Sequence, residues 1–329
     1  MNSFAPSYLP LAIGPDGQRP ASDALLASDG IGAPFMPADP LAPAAFTITR
    51  PAQQTVPLVV CSPHSGYYYP PAFVAQSKLD AHTLRRSEDA HVQHLFADAP
   101  QVGAPLLCAN FPRAYLDANR EPYELDPAML DGPLPAHANT RSPRVQAGLG
   151  TIARMVANGA DIYRDRLSVT EAEQRIARCY RPYHAALGQL VEETCQSFGY
   201  CLVIDCHSMP SGLPVNGDTS RRRPLNDIVL GDCHGSSCAR PLTALAHQIL
   251  LENDLRVTRN TPYAGGFTTR HYGRPAQRVH ALQIEISRHL YMNEATYQPL
   301  PAFDALRQIM HSLLTRLAAL PADAMLVAP

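Results

Sequence analysis

Six short segments of this 329-residue chain hold residue types that do chemistry. Ser62-Pro63-His64-Ser65-Gly66 follows directly on an apolar run, VPLVVC. Asp205-Cys206-His207-Ser208 follows YCLVI in the same way. In open α/β sheets ligands bind beyond the carboxyl ends of strands, so a histidine placed there faces a crevice and not the core. One such histidine is more often a turn or capping residue. Two of them favour a metal site, because neutral imidazole is a standard zinc ligand. Asp205 precedes His207 by two residues. It suits a supporting contact, since a metal-bound histidine usually gives its other N–H to a carboxylate or carbonyl.

A catalytic zinc takes three protein ligands and leaves a fourth position to water. Ser87-Glu88-Asp89-Ala90-His91 offers Glu88, Asp89 and His91 as candidates for the third, although acidic residues are also favoured at a helix start. Asp117-Ala118-Asn119-Arg120 carries a guanidinium, a planar fork that matches a carboxylate. A surface pair of Arg120 with Asp117 or Glu121 is the plainer alternative. Glu285 interrupts the apolar run HALQIEI. A carboxylate is rarely buried unless paired or metal-bound, and beside an activated water it would be a general base. In GGFTTRHYG, at 265–273, the glycines allow close backbone approach, while Arg270 and Tyr272 offer anion and hydrogen-bond contacts.

The elements that must position these residues follow from periodicity. Val56–Cys61, Ala104–Ala109, Tyr200–Asp205 and Val279–Ile286 read as buried strands, with weaker candidates at 225–230 and 255–258. Helical patterns cover Asp80–Ala99, Asp161–Phe198 (interrupted near Pro182), Pro241–Asn253 and Ala302–Leu320. Alternating strands and helices imply an α/β fold: a mixed, mostly parallel central sheet with helices on both faces. Residues 1–50 are expected to form an irregular Pro/Ala-rich arm, and residues 51–329 a single catalytic domain. The irregular stretches at 119–159 and 208–227 are expected to supply binding loops or a lid. Arg221–Arg223 within the second reads as a solvated loop.

Composition narrows the function classes. The formal net charge is -2, which gives no basic footprint for nucleic acid or an anionic membrane. No apolar run is long enough for a membrane span, and no signal-peptide pattern is visible. The eight cysteines form no CxxC pair, so reduced thiols and a cytoplasmic location are expected. A cysteine hydrolase built on Cys61 or Cys206 is disfavoured, because both thiols sit in apolar sequence with no activating group in view. Homo-oligomerisation is left open.

Taken together the segments resemble the N-formylglutamate amidohydrolase family. The likeness rests on PHSG at 63–66, SEDAHV at 87–92, LDANRE at 116–121, RPYH at 181–184, IDCHS at 204–208, GDCHGSSC at 231–238, GGFTTRHYG at 265–273 and HALQIEIS at 280–287. Order and spacing hold over roughly residues 55–315. The resemblance implies a zinc-carboxypeptidase/phosphorylase-hydrolase-like fold. It also implies cleavage of N-formyl-L-glutamate to formate and glutamate in histidine catabolism. In such enzymes two histidines and a carboxylate hold Zn²⁺, an Asn-Arg pair binds the substrate carboxylate, and a late-strand glutamate is the base. His64 and His207 would then be ligands, Glu285 the base and acid, and Asn119 and Arg120 the pair. Arg113 or His91 would help stabilise the oxyanion, and Arg113, Arg270 and Tyr272 would be further substrate contacts. Carboxypeptidases place a ligand glutamate three residues after the first histidine, where this chain has Tyr67. The third ligand therefore comes from elsewhere. Asp89 is chosen because the family commonly shows an Asp-rich stretch there, with Glu88 and His91 as alternatives. The partner is a small carboxylate-bearing N-acyl amino acid. A small peptide on the same scaffold, or a catalytically silent ligand-binding protein, are the competing readings.

Overall fold

The computed structural model describes residues 27–28, 34–36, 39, 42–157, 159–215, 218–224 and 226–320, with backbone alone for 27–28 and 213–224. Twelve strands are formed among the described residues. They are β1 (Ala27–Ser28), β2 (Phe46–Arg50), β3 (Leu58–Ser62), β4 (Leu106–Ala109), β5 (Leu130–Asp131), β6 (Leu167–Ser168), β7 (Cys201–Met209), β8 (Gly212–Val215), β9 (Asp218–Pro224), β10 (Ile228–Gly231), β11 (Val257–Arg259) and β12 (Val279–Ser287). Eight of them make one sheet in the order β1-β2-β4-β3-β7-β12-β10-β11. The centre, β4-β3-β7-β12, is parallel throughout, and antiparallel pairs occur only toward the edges. The expected mixed, mostly parallel sheet is therefore present.

Period-two alternation sorts the core into two layers. Val59, Cys61, Cys201, Val203 and Ala281 face one side, where the helix Arg181–Phe198 packs with Tyr183, Leu187 and Leu190. Leu58, Val60, Leu202, Ile204, Leu282, Ile284 and Ile286 face the other, covered by the helices Arg240–Leu251 and Phe303–Ala318. With both faces covered, β3, β7 and nearly all of β12 are buried at every position. That is why their sequences read as continuous apolar runs. On the first face the apolar series gives way to polar residues toward the carboxyl ends: Asp205 and His207 on β7, Gln283 and Glu285 on β12. Parallel register sets Gln283 beside Asp205 and Glu285 beside His207.

Some expectations need correction. β7 runs on to Met209, so His207 lies inside the strand and not after it. The expected helix Asp80–Ala99 is broken into Ala81–Leu84, a 3₁₀ turn Arg85–Ser87, and Val92–Leu95. The break falls on Glu88–His91, because the Asp89 N–H leaves the helix ladder to donate to the His64 carbonyl at 3.0 Å, and His91 turns to φ 65°. The expected helix over Asp161–Phe198 starts only at Val169, capped by Ser168, and is not interrupted at Pro182. A π turn, Ile176–Tyr180, precedes the proline and absorbs its missing N–H. β8 and β9 form a hairpin within the stretch expected to be irregular, and the side chains of Arg221–Arg223 lie outside the described residues. Of the expected N-terminal arm, β1 and residues 46–50 of β2 pair along one edge of the sheet, and most of the rest lies outside the described residues. No helix among the described residues is long and apolar enough to cross a membrane.

The turn that carries His64 off β3 is held by steric fit. The Ser62 hydroxyl donates to Ser65 at 2.8 Å, and a Cβ at Gly66 would lie 2.2 Å from the Phe111 carbonyl oxygen. Gly66→Ala must therefore push two backbone segments apart. We expect a loss of about 1–3 kcal/mol in urea denaturation, the usual range for overpacking. A variant as stable as the parent would contradict the close approach.

Candidate active site

His64, Asp89 and His207 meet at the carboxyl ends of β3 and β7. Candidate ligand atoms from the three lie within 4.8 Å of one another, and all three residues are buried. Asp89 Oδ2 stands 3.1 Å from His207 Nδ1 and 3.4 Å from His64 Nδ1. The two imidazole rings are 4.8 Å apart, tilted by 59°. Each ring has a carboxylate behind it. His64 Nε2–H donates to Asp117 Oδ1 at 2.7 Å, and His207 Nε2 lies 3.0 Å from Asp205 Oδ1. Both Nδ1 atoms consequently turn toward Asp89.

Charge in this dry setting is balanced closely. Burial would raise the Asp89 carboxyl, but the His207 and His64 imidazoles outweigh it and hold it well below the usual range. Burial would likewise raise Asp117. Arg120, Arg113 and His64 hold it well below instead. Burial would lower His207, yet the Asp205 and Asp89 carboxylates hold it well above the usual imidazole range. Glu285 behaves differently. Burial pushes its carboxyl up to about 7, with Asp89 and Asp205 adding to the rise and His207 and Arg113 opposing it. A carboxyl poised near neutrality is suited to take and return a proton.

These residues fit a divalent metal. His64 Nδ1 is buried and has no hydrogen-bond partner, and an unpartnered buried nitrogen calls for an explanation. Two imidazole Nδ1 atoms and one carboxylate oxygen, each imidazole backed by an acceptor, make a familiar zinc donor set. The alternatives for the third ligand are engaged elsewhere. Glu88 accepts from Arg85 at 2.8 and 3.0 Å and from Tyr69 at 3.3 Å, while His91 Nε2 donates to the Tyr297 carbonyl at 2.8 Å.

The expected substrate residues fall in different places. Arg113 is half-buried and donates through Nε to Asp117 at 3.0 Å. It interacts electrostatically with Asp89 and Glu285, so it faces the cluster. Arg120 is buried and donates to the Leu149 and Asn119 carbonyls at 2.9 and 2.8 Å, with Asp117 3.5 Å away. Asn119 accepts from the Thr268 N–H at 2.7 Å, which directs its amide nitrogen at Asp205 and His207. Arg270 is exposed and donates to the Gly265 carbonyl at 3.0 Å. Tyr272 stacks on His184 and directs its hydroxyl there. The two thiols weighed as nucleophiles are fully buried, and burial pushes both well above the usual thiol range.

Several participants escaped the sequence reading. Gln283 donates to Glu285 at 2.9 Å and accepts from the Gly266 N–H at 2.7 Å, tying the base to the start of the helix Phe267–Tyr272 formed by the GGFTTRHYG segment. Arg288 and Ser208 surround Asp89. Tyr263 packs on Met209 and Val229 and senses both Glu285 and Arg113. The available signal for Arg288 was its place just beyond a buried strand, three residues after Glu285.

Fold and site together define an α/β protein with a buried histidine–carboxylate cluster at its strand ends. The sequence model of the N-formylglutamate amidohydrolase family matches residues 56–292, and the chain belongs to that family. It is thus a hydrolase of a non-peptide amide bond. It is 31% identical to the N-formylglutamate deformylase of Pseudomonas aeruginosa over 73% of this chain and 83% of that one. It is 29% identical to the N-formylglutamate deformylase of Pseudomonas putida over 80% and 94%. Among solved structures it is similar to the N-formylglutamate amidohydrolase of Ralstonia eutropha JMP134, at 40% identity and TM-score 0.77, covering 84% of this chain and 97% of that one.

His184 links two parts of the site. Its Nε2–H donates to the Ala118 carbonyl at 2.8 Å, and its Nδ1 lies 3.0 Å from the Tyr272 hydroxyl. A carbonyl can only accept, so Nε2 carries a proton, and the Tyr272 hydroxyl in turn donates to the His184 carbonyl at 3.1 Å. Burial pushes its pKa down from 6.5 to about 4. The unfolded chain therefore takes up this proton first as pH falls. Stability from this group is intact above about pH 6.5 and is lost on the way down to about 4. The loss is on the order of 3 kcal/mol. Denaturation at several pH values should show a shallower acid decline in His184→Gln than in the parent. Parallel curves would exclude His184 as a source of the decline.

Proposed function

We propose that the protein is a Zn²⁺-dependent deformylase of N-formyl-L-glutamate, or of a closely related N-acyl amino acid. The observation that carries the reading is the buried His64–Asp89–His207 cluster with its unpartnered His64 Nδ1, in a chain similar to two N-formylglutamate deformylases. Zn²⁺ on His64 Nδ1, Asp89 Oδ2 and His207 Nδ1 would supply Lewis acidity toward the formyl carbonyl and its attacking water.

The chain's own residues supply the rest. Glu285, in register with His207, takes a proton from the attacking water and returns it to the leaving nitrogen. The products are formate and the free amino acid. Among the described residues the Arg113 Nη groups have no hydrogen-bonded protein acceptor at 3.5 Å or less, so they can receive a substrate carboxylate or the developing oxyanion. Arg270, exposed on the neighbouring helix Phe267–Tyr272, is assigned to the second carboxylate. Asn119 and Arg120 act by fixing the turn after Asp117 against the start of the helix Phe267–Tyr272, and Tyr272 by steadying that turn through His184. A cytoplasmic location and a place in histidine breakdown belong to the same reading.

Two measurements test it. Formate release should be fastest with N-formyl-L-glutamate in a panel with its N-acetyl and N-succinyl analogues, and a chelator should abolish it. Glu285→Gln should retain substrate binding and lower kcat about 10²–10⁴-fold, the span of general acid–base catalysis. Undiminished turnover in that variant would remove Glu285 from the chemistry. Faster release of acetate or succinate would reassign the acyl group.

A further inference from the structure

Asp89 has two oxygens, and the structure treats them differently. Oδ2 faces His207 Nδ1 and His64 Nδ1, at 3.1 and 3.4 Å. Oδ1 points the other way, accepting from the Ser208 hydroxyl at 3.1 Å and lying 3.5 Å from Arg288 Nη2. The direction of the Ser208 hydrogen follows from its other neighbour. Arg288 Nε lies 3.2 Å from Ser208 Oγ and can only donate. The Ser208 hydroxyl therefore accepts from Arg288 and has its own proton left for Asp89. Arg288 is itself fixed. It starts the turn that ends β12, is 7% exposed, and donates to the Glu88 carbonyl at 2.8 Å and the Arg86 carbonyl at 3.3 Å. It thus holds the backbone on which Asp89 sits and one of its two oxygens.

We propose that Arg288, acting with Ser208, is a positioning residue that makes Asp89 a one-oxygen metal ligand. The proposal rests on the metal reading above and deepens it. A carboxylate with both oxygens free can chelate a metal through both, which fills a coordination position. With Oδ1 occupied by two donors, only Oδ2 is presented, and a position stays open for substrate and water, as catalytic zinc requires. Arg288 also places a positive charge behind Asp89, on the side away from the histidines. Neither residue is asked to touch substrate.

The test uses purified full-length chain stripped of metal. Zn²⁺ affinity is measured by chelator competition without substrate, and the visible spectrum of the Co²⁺-loaded chain reports coordination number. Circular dichroism and thermal unfolding of the metal-free forms report the fold. Ser208→Ala and Arg288→Met should each weaken Zn²⁺ about 10–100-fold, the usual cost of losing a partner behind a ligand. Both should shift the Co²⁺ spectrum toward higher coordination, with the metal-free fold retained. Arg288→Lys should recover only part of the affinity, because an ammonium cannot reproduce the three directed donors. If Arg288→Met fails to fold, the Ser208→Ala spectrum decides. Unchanged Zn²⁺ affinity and an unchanged Co²⁺ spectrum in Ser208→Ala would overturn the proposal while leaving the metal site intact. A parent chain that binds no Zn²⁺ would overturn the metal reading itself, and this proposal with it.

Discussion

A carboxylate buried between two imidazoles is the constraint on which the rest of the site depends. Asp89 is 1% exposed, and an isolated charge at such depth is strongly disfavoured. It is tolerated because polar groups surround it: His207 Nδ1 on one oxygen with the His64 ring 3.4 Å away, Ser208 and Arg288 toward the other, and its own backbone N–H on the His64 carbonyl. The local chain geometry follows from that demand. The helix expected over this stretch breaks so that Asp89 can leave it, and His91 takes a left-handed conformation to bring the chain back.

The demand then spreads outward in layers. Each histidine is steadied by a second carboxylate, and those carboxylates are steadied in turn. Asp117 takes Arg113 and the Asn119 N–H, while Asp205 takes the Asn119 amide and the Cys61 thiol. Asn119 is fixed by Thr268 and crowded by Gly266, where a Cβ would lie within 2.5 Å of its side chain. A network this fully satisfied leaves few groups able to move. The exceptions are the unpartnered His64 Nδ1, the half-raised Glu285 and the outer nitrogens of Arg113. Those are the groups assigned to metal, proton transfer and substrate.

Much of this was legible in the sequence, for a physical reason. Strand-end histidines and a glutamate inside an apolar run stand out because β-strands bury everything around them. The alternation that puts Cys61, Asp205, His207, Gln283 and Glu285 on one face can be counted residue by residue. Asp89, by contrast, could be separated from Glu88 and His91 only by knowing which neighbours each had. Arg85 and Tyr69 engage Glu88, the Tyr297 carbonyl engages His91, and these partners lie up to 206 residues away. The surroundings of Arg120 were hidden for the same reason: nothing local to it shows that the Leu149 carbonyl holds its Nε. Beyond the place of Arg288 just after a buried strand, Arg288 and Ser208 carried no local pattern, because their role exists only once β7, β12 and the Asp89 turn are side by side.

The central claim is that His64 and His207 present their Nδ1 atoms to a metal while Asp117 and Asp205 hold the opposite nitrogens. Nitrogen-15 NMR of histidine-labelled chain, titrated with Zn²⁺, tests this at the atoms concerned. The Nδ1 signals of His64 and His207, assigned by substitution, should move to the metal-bound position at one equivalent, with both Nε2–H signals retained. Movement of the Nε2 signals, or a His64 ring that does not respond, would contradict it.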